Sequence, residues 1–326
     1  MQRRHFFPMI AAGAWAVCPV AAQDQSIRLR LAHSGAEQDS KHRAAVHFAN
    51  RVREKSGGGV QIRVYPNSTL GNDGTVLSAA RGGTVDMVLI GNPYYTGLMP
   101  QLNVLDLPFL FDDAPHAWRV LDGKNGRNLL QAFGQHQLEG LAFWEVGFRS
   151  LANSRRAIAS AEDVRGLKIR TTPNPAHIQA FQLLGANPQP MPFAEVFAAL
   201  ESRALDGHEN PPVEMLSSRM YEVQKYLAMT RHAYTAMPLA INKARFNQLS
   251  PAHQHMVREE ALLGAQWQRD MNAREEPQML AALEQHGMRV NRTPDRESFR
   301  AAVAQATRQT FREKYGAALL DAVQSQ

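Results

Sequence analysis

Cysteine is nearly absent from this chain: Cys18 is the only one in 326 residues, and it falls in an apolar segment at the start. Without that segment no thiol remains, which excludes structural disulfides, thiol catalysis and thiolate metal sites together. The local signatures of common chemistries are missing too. No G-x-G-x-x-G joins a strand to a helix, Gly57-Gly58-Gly59 lacks the GKS/T ending of a phosphate loop, and neither G-x-S-x-G nor H-E-x-x-H occurs. His208-Glu209 with the separate His232 invites a metal, but hydrogen-bonded histidines are the simpler reading. No cofactor is expected. Positive charge is modest, +6 overall and +4 once Arg3 and Arg4 leave with a leader, and no Lys/Arg run interleaves with aromatics. A nucleic-acid surface is therefore not expected.

What is present begins with a leader. Met1 to Arg4 is basic, Phe6 to Val17 is largely apolar, and Val20-Ala21-Ala22 supplies small residues before Gln23. This is the pattern of a cleaved secretory signal over 1–22, too short for the roughly 20 apolar residues of a membrane span. Arg3-Arg4 before His5-Phe6-Phe7 suits a twin-arginine signal and equally the basic end of a general one. Val17 is a poor match to the small residue that lipidation of Cys18 would want. The rest is too long for one ordinary core, so two lobes are expected. No flexible linker separates them, which requires the chain to cross between lobes.

Hydrophobic periodicity outlines an α/β chain. Strands are read at Ile27 to Ala32, Val60 to Tyr65, Val85 to Ile90, Leu141 to Trp144, Leu167 to Thr171, Ala236 to Ile241 and Met288 to Val290. Helices are read at Lys41 to Lys55, Gly74 to Arg81, Ala114 to Phe133, Ala176 to Leu184, Phe193 to Leu205 and Met215 to Tyr226. Pro251 to Gln285 reads as one long helix or two in tandem, and Asp295 to Tyr315 as a terminal one. Leu105 to Phe111, interrupted by Pro108, reads as a turn or buried crossover.

Three polar residues sit where open α/β folds gather ligands, at strand ends and the loops beyond them. Arg149 follows Trp144 to Phe148, Arg170 closes Leu167 to Ile169, and Asn210 precedes Pro211-Pro212. A guanidinium so placed grips a carboxylate through two parallel hydrogen bonds. Each residue taken alone also fits a salt bridge or a turn.

Together with YPNSTLGND at 65–73, LPFLF at 107–111, GFRSLANSRR at 147–156, GLKIRTTPNP at 166–175, LGANPQPMPFAEVFAAL at 184–200, LDGHENP at 205–211 and YEVQKYLAMTRH at 221–232, these residues carry a resemblance. The chain resembles the substrate-binding subunits of tripartite ATP-independent periplasmic (TRAP) transporters, the DctP family, from about Ile27 to the last helix. The resemblance implies a two-lobed α/β periplasmic solute-binding protein fold with crossing hinge strands and a long interlobe helix. It implies a non-catalytic protein that closes over a small organic carboxylate and hands it to TRAP membrane subunits. Lobe I is expected over 23–146 plus 235–274, and lobe II over 147–234 plus 275–326. Arg170 matches the family's bidentate carboxylate anchor, Arg149 a supporting arginine, Asn210 a third carboxylate contact and Phe193 a wall of the second lobe. His33, Asn72 and Asn92 fall near positions that meet the ligand's other end. His208 departs from the glutamine usual in this motif.

Phe193, Tyr94, Tyr95, Trp144 and Asn92 suit a hydroxylated monocarboxylate such as a sugar acid, and leave a C4-dicarboxylate, keto acid or aromatic acid open. The rivals of other classes are a hydroxy-acid enzyme, which lacks an acid–base pair in the sequence, and a periplasmic sensor subunit. A monomer suits a protein that must diffuse and dock.

Overall fold

Short apolar runs alternate with amphipathic ones, and a computed structural model of residues 26–325 folds them into one continuous sheet with helices on both faces. The expected leader over 1–22 lies outside the described residues. The strands are β1 (Ile27–Ala32), β2 (Val60–Tyr65), β3 (Met87–Leu89), β4 (Leu138–Asn153), β5 (Lys168–Thr171), β6 (Asn187–Pro190), β7 (Gly207–Asn210), β8 (Tyr226–Asn242) and β9 (Arg289–Asn291). The helices are α1 (Ser40–Lys55), α2 (Asp73–Gly82), α3 (Ala114–Asp122), α4 (Lys124–Ala132), α5 (Pro175–Leu183), α6 (Val196–Glu201), α7 (Pro212–Ser217), α8 (Lys243–Asn247), α9 (Pro251–Gln285), α10 (Arg296–Tyr315) and α11 (Ala318–Gln324).

The strand order is β2-β1-β3-β8-β4-β7-β5-β6, with β9 beside β8. Strands β4 and β8 pair antiparallel along their whole length, from Leu138 opposite Asn242 to Asn153 opposite Tyr226. One end of this ribbon joins β3 and the other joins β7, so the same two strands run through both lobes. In the first lobe Met87 and Leu89 face Leu29, Leu31 and Phe48, while Val88 faces Val120 and Leu121. In the second, Leu151, Ile169 and Ala228 pack with Phe181 and Phe299, and Ala152, Leu227 and Met229 pack with Leu200 and Met215 on the opposite face. Each such Leu, Ile, Val, Met or Phe side chain, fully buried, contributes on the order of 1.5–3 kcal/mol.

Helix α9 ties the lobes together. Its Val257, Ala261 and Ala265 sit in a first-lobe cluster and its Leu280 and Leu283 in a second-lobe one. It is a single helix of 35 residues and passes through Pro277 without ending. It lies so close to the ribbon that a Cβ on Gly264 would stand 2.7 Å from Trp144 Cζ2, inside any allowed contact. Where the ribbon passes between lobes its register shifts between Glu145 and Gly147. Gly147 takes φ 110° there, a conformation that side chains rarely tolerate.

Several elements differ from the sequence expectation. The two ribbon strands extend far past their apolar centres because buried Glu145, Arg149, Ser150 and Asn153 interrupt the pattern that marks a strand. The helix expected over Ala114 to Phe133 is two, broken where Gly123 turns extended. Phe193 to Leu205 shortens to a 3-10 turn and α6. The expected helix from Met215 to Tyr226 ends at Ser217, Arg219 turns left-handed at φ 55°, and Tyr226 already opens β8. Strands β6 and β7 gave no sequence signal. NPQP carries two prolines, tolerated because β6 pairs only with β5 at the sheet's edge, and GHEN is polar throughout.

Candidate functional site

Between the lobes, beside the ribbon, lies a cavity. The structure brings Arg170, Arg149, Asn210 and Phe193 together on its wall, with Tyr94 and Thr235. Arg149 reaches it from β4, Arg170 from β5 and Asn210 from β7, three strands neighbouring in the sheet although distant in sequence.

The two arginines differ in what already holds them. Arg149 is 2% exposed and is taken up by Glu209: its Nε and Nη2 donate to the carboxylate, and Nη2 also donates to the Glu209 carbonyl. Its remaining bonds go to Thr235 Oγ1 at 3.2 Å and Asn210 Oδ1 at 2.7 Å. Burial alone would raise the Glu209 carboxyl, but Arg149 with His232 and His177 together outweigh it and hold that group well below the usual range. This charge is spent inside the protein.

Arg170 is 1% exposed and forms no ion pair among the described residues; its bonds go to neutral oxygens. Nε and Nη2 both donate to the Met191 carbonyl, at 3.1 and 2.8 Å, which fixes the guanidinium plane. Nη2 also donates to Tyr94 Oη at 3.3 Å. Burial, with Asp73 nearby, pushes the Tyr94 hydroxyl up to about 12, so it keeps its proton and can donate it. A buried cation without a counter-charge is costly, and the arrangement suits an incoming carboxylate.

The opposite wall is acidic. Asp73, in the first turn of α2, accepts from Ser34 Oγ at 2.9 Å. Lys41 of α1 donates to Glu214 of α7, so a buried ion pair crosses from one lobe to the other. Asp39, the cap of α1, makes a second crossing by accepting from Ser217 Oγ at 2.8 Å. Burial raises the carboxyls of Asp73 and Asp39 from their ordinary values. The Phe193 ring separates the two ends, its centroid 6.0 Å from Arg170 Cζ and 6.0 Å from Lys41 Nζ.

His33, Asn72 and Asn92 are not among the residues that line this cavity. His33 Nε2 lies 3.2 Å from His42 Nδ1. Asn72 caps α2, accepting from the Thr75 amide at 3.0 Å. Asn92 is buried and donates to the Leu102 carbonyl and to Asp106 Oδ2. Tyr95 and Trp144 are core residues, the latter donating to the Ala261 carbonyl at 2.9 Å. His208 Nδ1 stands 3.3 Å from Asn210 Nδ2, and burial lowers its pKa to about 3. His232 Nε2 is 3.4 Å from Glu209, and no metal-binding group of three such residues occurs among the described residues. Sequence reasoning missed Ser34, Lys41, Asp73, Thr235 and Glu214. Asp73, next to Asn72 in YPNSTLGND, and Ser34, next to His33, stood beside residues already singled out.

Residues 31–314 match the family described as bacterial extracellular solute-binding protein, family 7, DctP. The chain is 39% identical over 312 residues to the 2,3-diketo-L-gulonate-binding periplasmic protein YiaO of Escherichia coli, covering 95% of this chain and 94% of that protein. Its fold is similar to that of a TRAP periplasmic solute-binding protein from Polaromonas sp. JS666 bound to D-erythronate, with TM-score 0.89, 33% identity, and 92% of this chain and 98% of that one covered. It is also similar to the sugar acid binding protein DctPAm of Advenella mimigardefordensis in complex with galactonate, with TM-score 0.88, 33% identity, and 92% and 97% covered.

Proposed function

The chain belongs to the DctP family of periplasmic TRAP solute-binding proteins, which bind a small organic acid and deliver it to a TRAP transporter without catalysis, and on that premise we propose that its ligand is a hydroxylated monocarboxylate of the sugar-acid kind. The observation that carries the reading is the contrast between the two ends of the cavity. At one end Arg170 is a buried cation lacking an anion. At the other, Asp73 and Glu214 offer carboxylate oxygens that accept from hydroxyl groups. A ligand with one carboxylate and a hydroxylated tail matches both, whereas an aromatic acid would leave the acidic end unpaired. The relative and the two structures compared above are themselves named for or bound to sugar acids or a diketo acid, which supports the same class.

In this reading Arg170 forms the two-pronged carboxylate bond and Asn210 Nδ2 adds a third. Arg149 holds Asn210 in place, and Phe193 covers the carbon chain. Asn72 positions Asp73 by capping its helix, Asn92 braces the segment bearing Tyr94, and His33 stands beside Ser34. The lobes divide as 23–146 with 235–274 and 147–234 with 275–326, except that α11 travels with the first lobe, since Leu320 and Val323 pack beside Leu121 and Leu129. We further propose a monomer, exported by a leader over 1–22; light scattering and N-terminal sequencing of periplasmic material test these two points.

The test of the ligand class is native mass spectrometry of freshly purified protein, then calorimetry with sugar acids, succinate, pyruvate and benzoate. The expected result is an unaltered hydroxylated monocarboxylate at one per chain, with tightest binding in that series. Preference for succinate, or silence across the panel, would overturn the reading.

A further inference from the structure

The cavity contains two cations beyond Arg149, and their number alone would fit a dicarboxylate. Phe193 lies between Arg170 and Lys41, with both charges equally far from its ring, so the pair could in principle hold one carboxylate each. What separates them is occupancy. Arg170 donates to a carbonyl and a phenol. Lys41 donates to Glu214, a carboxylate brought across the cleft by the other lobe, with Asp39 and Asp73 close by. Burial works against the ammonium, yet these three carboxylates together hold its proton more tightly than usual.

We propose that Glu214 determines specificity by excluding dicarboxylates: it occupies Lys41 with a carboxylate of the protein where a ligand's second carboxylate would otherwise bind. This rests on the reading of Arg170 as the carboxylate anchor. A dicarboxylate entering the closed cavity must displace Glu214 and leave it buried beside Asp73 without a counter-charge, or stand unpaired itself. A hydroxyl at the same place donates to Glu214 or Asp73 and disturbs neither. The filter engages only on closure, because Lys41 and Glu214 belong to different lobes. Selection against the wrong ligand is thus built as a repulsive element in the closed state.

The experiment compares matched ligands that differ only at the terminal carbon: erythronate with meso-tartrate, and galactonate with galactarate. Calorimetry on the full mature protein should show the wild type binding the monocarboxylate of at least one pair a hundredfold or more tighter than its dicarboxylate. Glu214→Gln keeps the shape and frees the ammonium, so dicarboxylate affinity should rise and the ratio shrink tenfold or more. Lys41→Met added to that variant should abolish the gain. If the wild type discriminates and Glu214→Gln leaves the ratio unchanged, the filter is overturned while the carboxylate-anchor reading stands. If the wild type binds neither member of either pair, or prefers the dicarboxylate, the underlying ligand reading fails with it. Should Glu214→Gln not fold, Glu214→Met, an uncharged side chain of similar length, also takes the carboxylate off Lys41 and carries the same expectation, with an unchanged ratio overturning the proposal.

Discussion

Arg149 Nη2 donates to Asn210 Oδ1 at 2.7 Å while Nε and Nη2 of the same guanidinium donate to Glu209 and Nη1 to Thr235. The bond turns the asparagine amide so that its Nδ2, 3.3 Å from His208 Nδ1, has a second hydrogen for another partner. Arg149 is therefore structural as much as it is part of the site. Arg149→Met should leave Glu209 as a buried anion without its partner and cost about 3–5 kcal/mol in urea denaturation. Glu209, held below its ordinary 4.5, contributes stability above that pH and loses it as pH falls further; the variant should lack this contribution. Adding Glu209→Gln to Arg149→Met should restore part of the loss, which two independent sites would not do.

Acid should destabilise the protein through its buried histidines. His177 and His208 are both lowered to about 3 by burial, and His33 is lowered well below its usual value for the same leading reason. Between pH 6.5 and 3 the unfolded chain binds protons that the folded chain refuses. Stability then falls with falling pH, at up to about 1.4 kcal/mol per unit for each such proton. Thermal melts from pH 7 to 4 should show this decline, and His177→Gln with His208→Gln should flatten it. An equally steep decline in that double variant would place the acid sensitivity elsewhere.

Arg170 and Asn210, which line the cavity and are proposed here as its anchors, were legible because each stands at the end of a local pattern: Arg170 closes a short strand, and Asn210 comes just before two prolines. The acidic wall was not. Lys41 and Glu214 are 173 residues apart in the chain and meet only because two lobes close on one another, which no local periodicity records. Lys41 reads as the first turn of an ordinary helix. The same limit affected the ribbon, whose strands are held by pairing with each other rather than by alternating hydrophobicity. Buried Glu145, accepting from Trp118, Tyr234 and Asn272, would look from sequence alone like a break in the strand.

Asp106 should lower stability at neutral pH. Its Oδ2 accepts from Asn92 and Asn174, both at 2.8 Å, while its Oδ1 is buried without a partner. Burial raises its carboxyl well above 3.8, so above pH 3.8 the folded chain keeps a proton that the unfolded chain gives up. Stability from this group therefore falls as pH rises, opposite in sign to the histidines. Asp106→Asn keeps an acceptor for both amides and has no carboxyl to hold protonated. It should raise the melting temperature at pH 7, whereas Asp106→Ala, which removes both bonds, should lower it.

Arg170→Lys tests whether planarity or charge matters at the anchor. The Met191 carbonyl takes two donors from one edge of the guanidinium, which leaves the remaining N–H groups in a fixed plane toward the cavity. A lysine supplies the charge but cannot brace itself on Met191 and present two parallel donors at once. Affinity for the acid that the wild type binds should fall tenfold or more, about 1.4 kcal/mol at least, with little change in melting temperature without ligand. Affinity close to wild type would mean that charge alone holds the carboxylate; a large drop in the ligand-free melting temperature would mean that Arg170 acts mainly by holding Met191 and Tyr94 together.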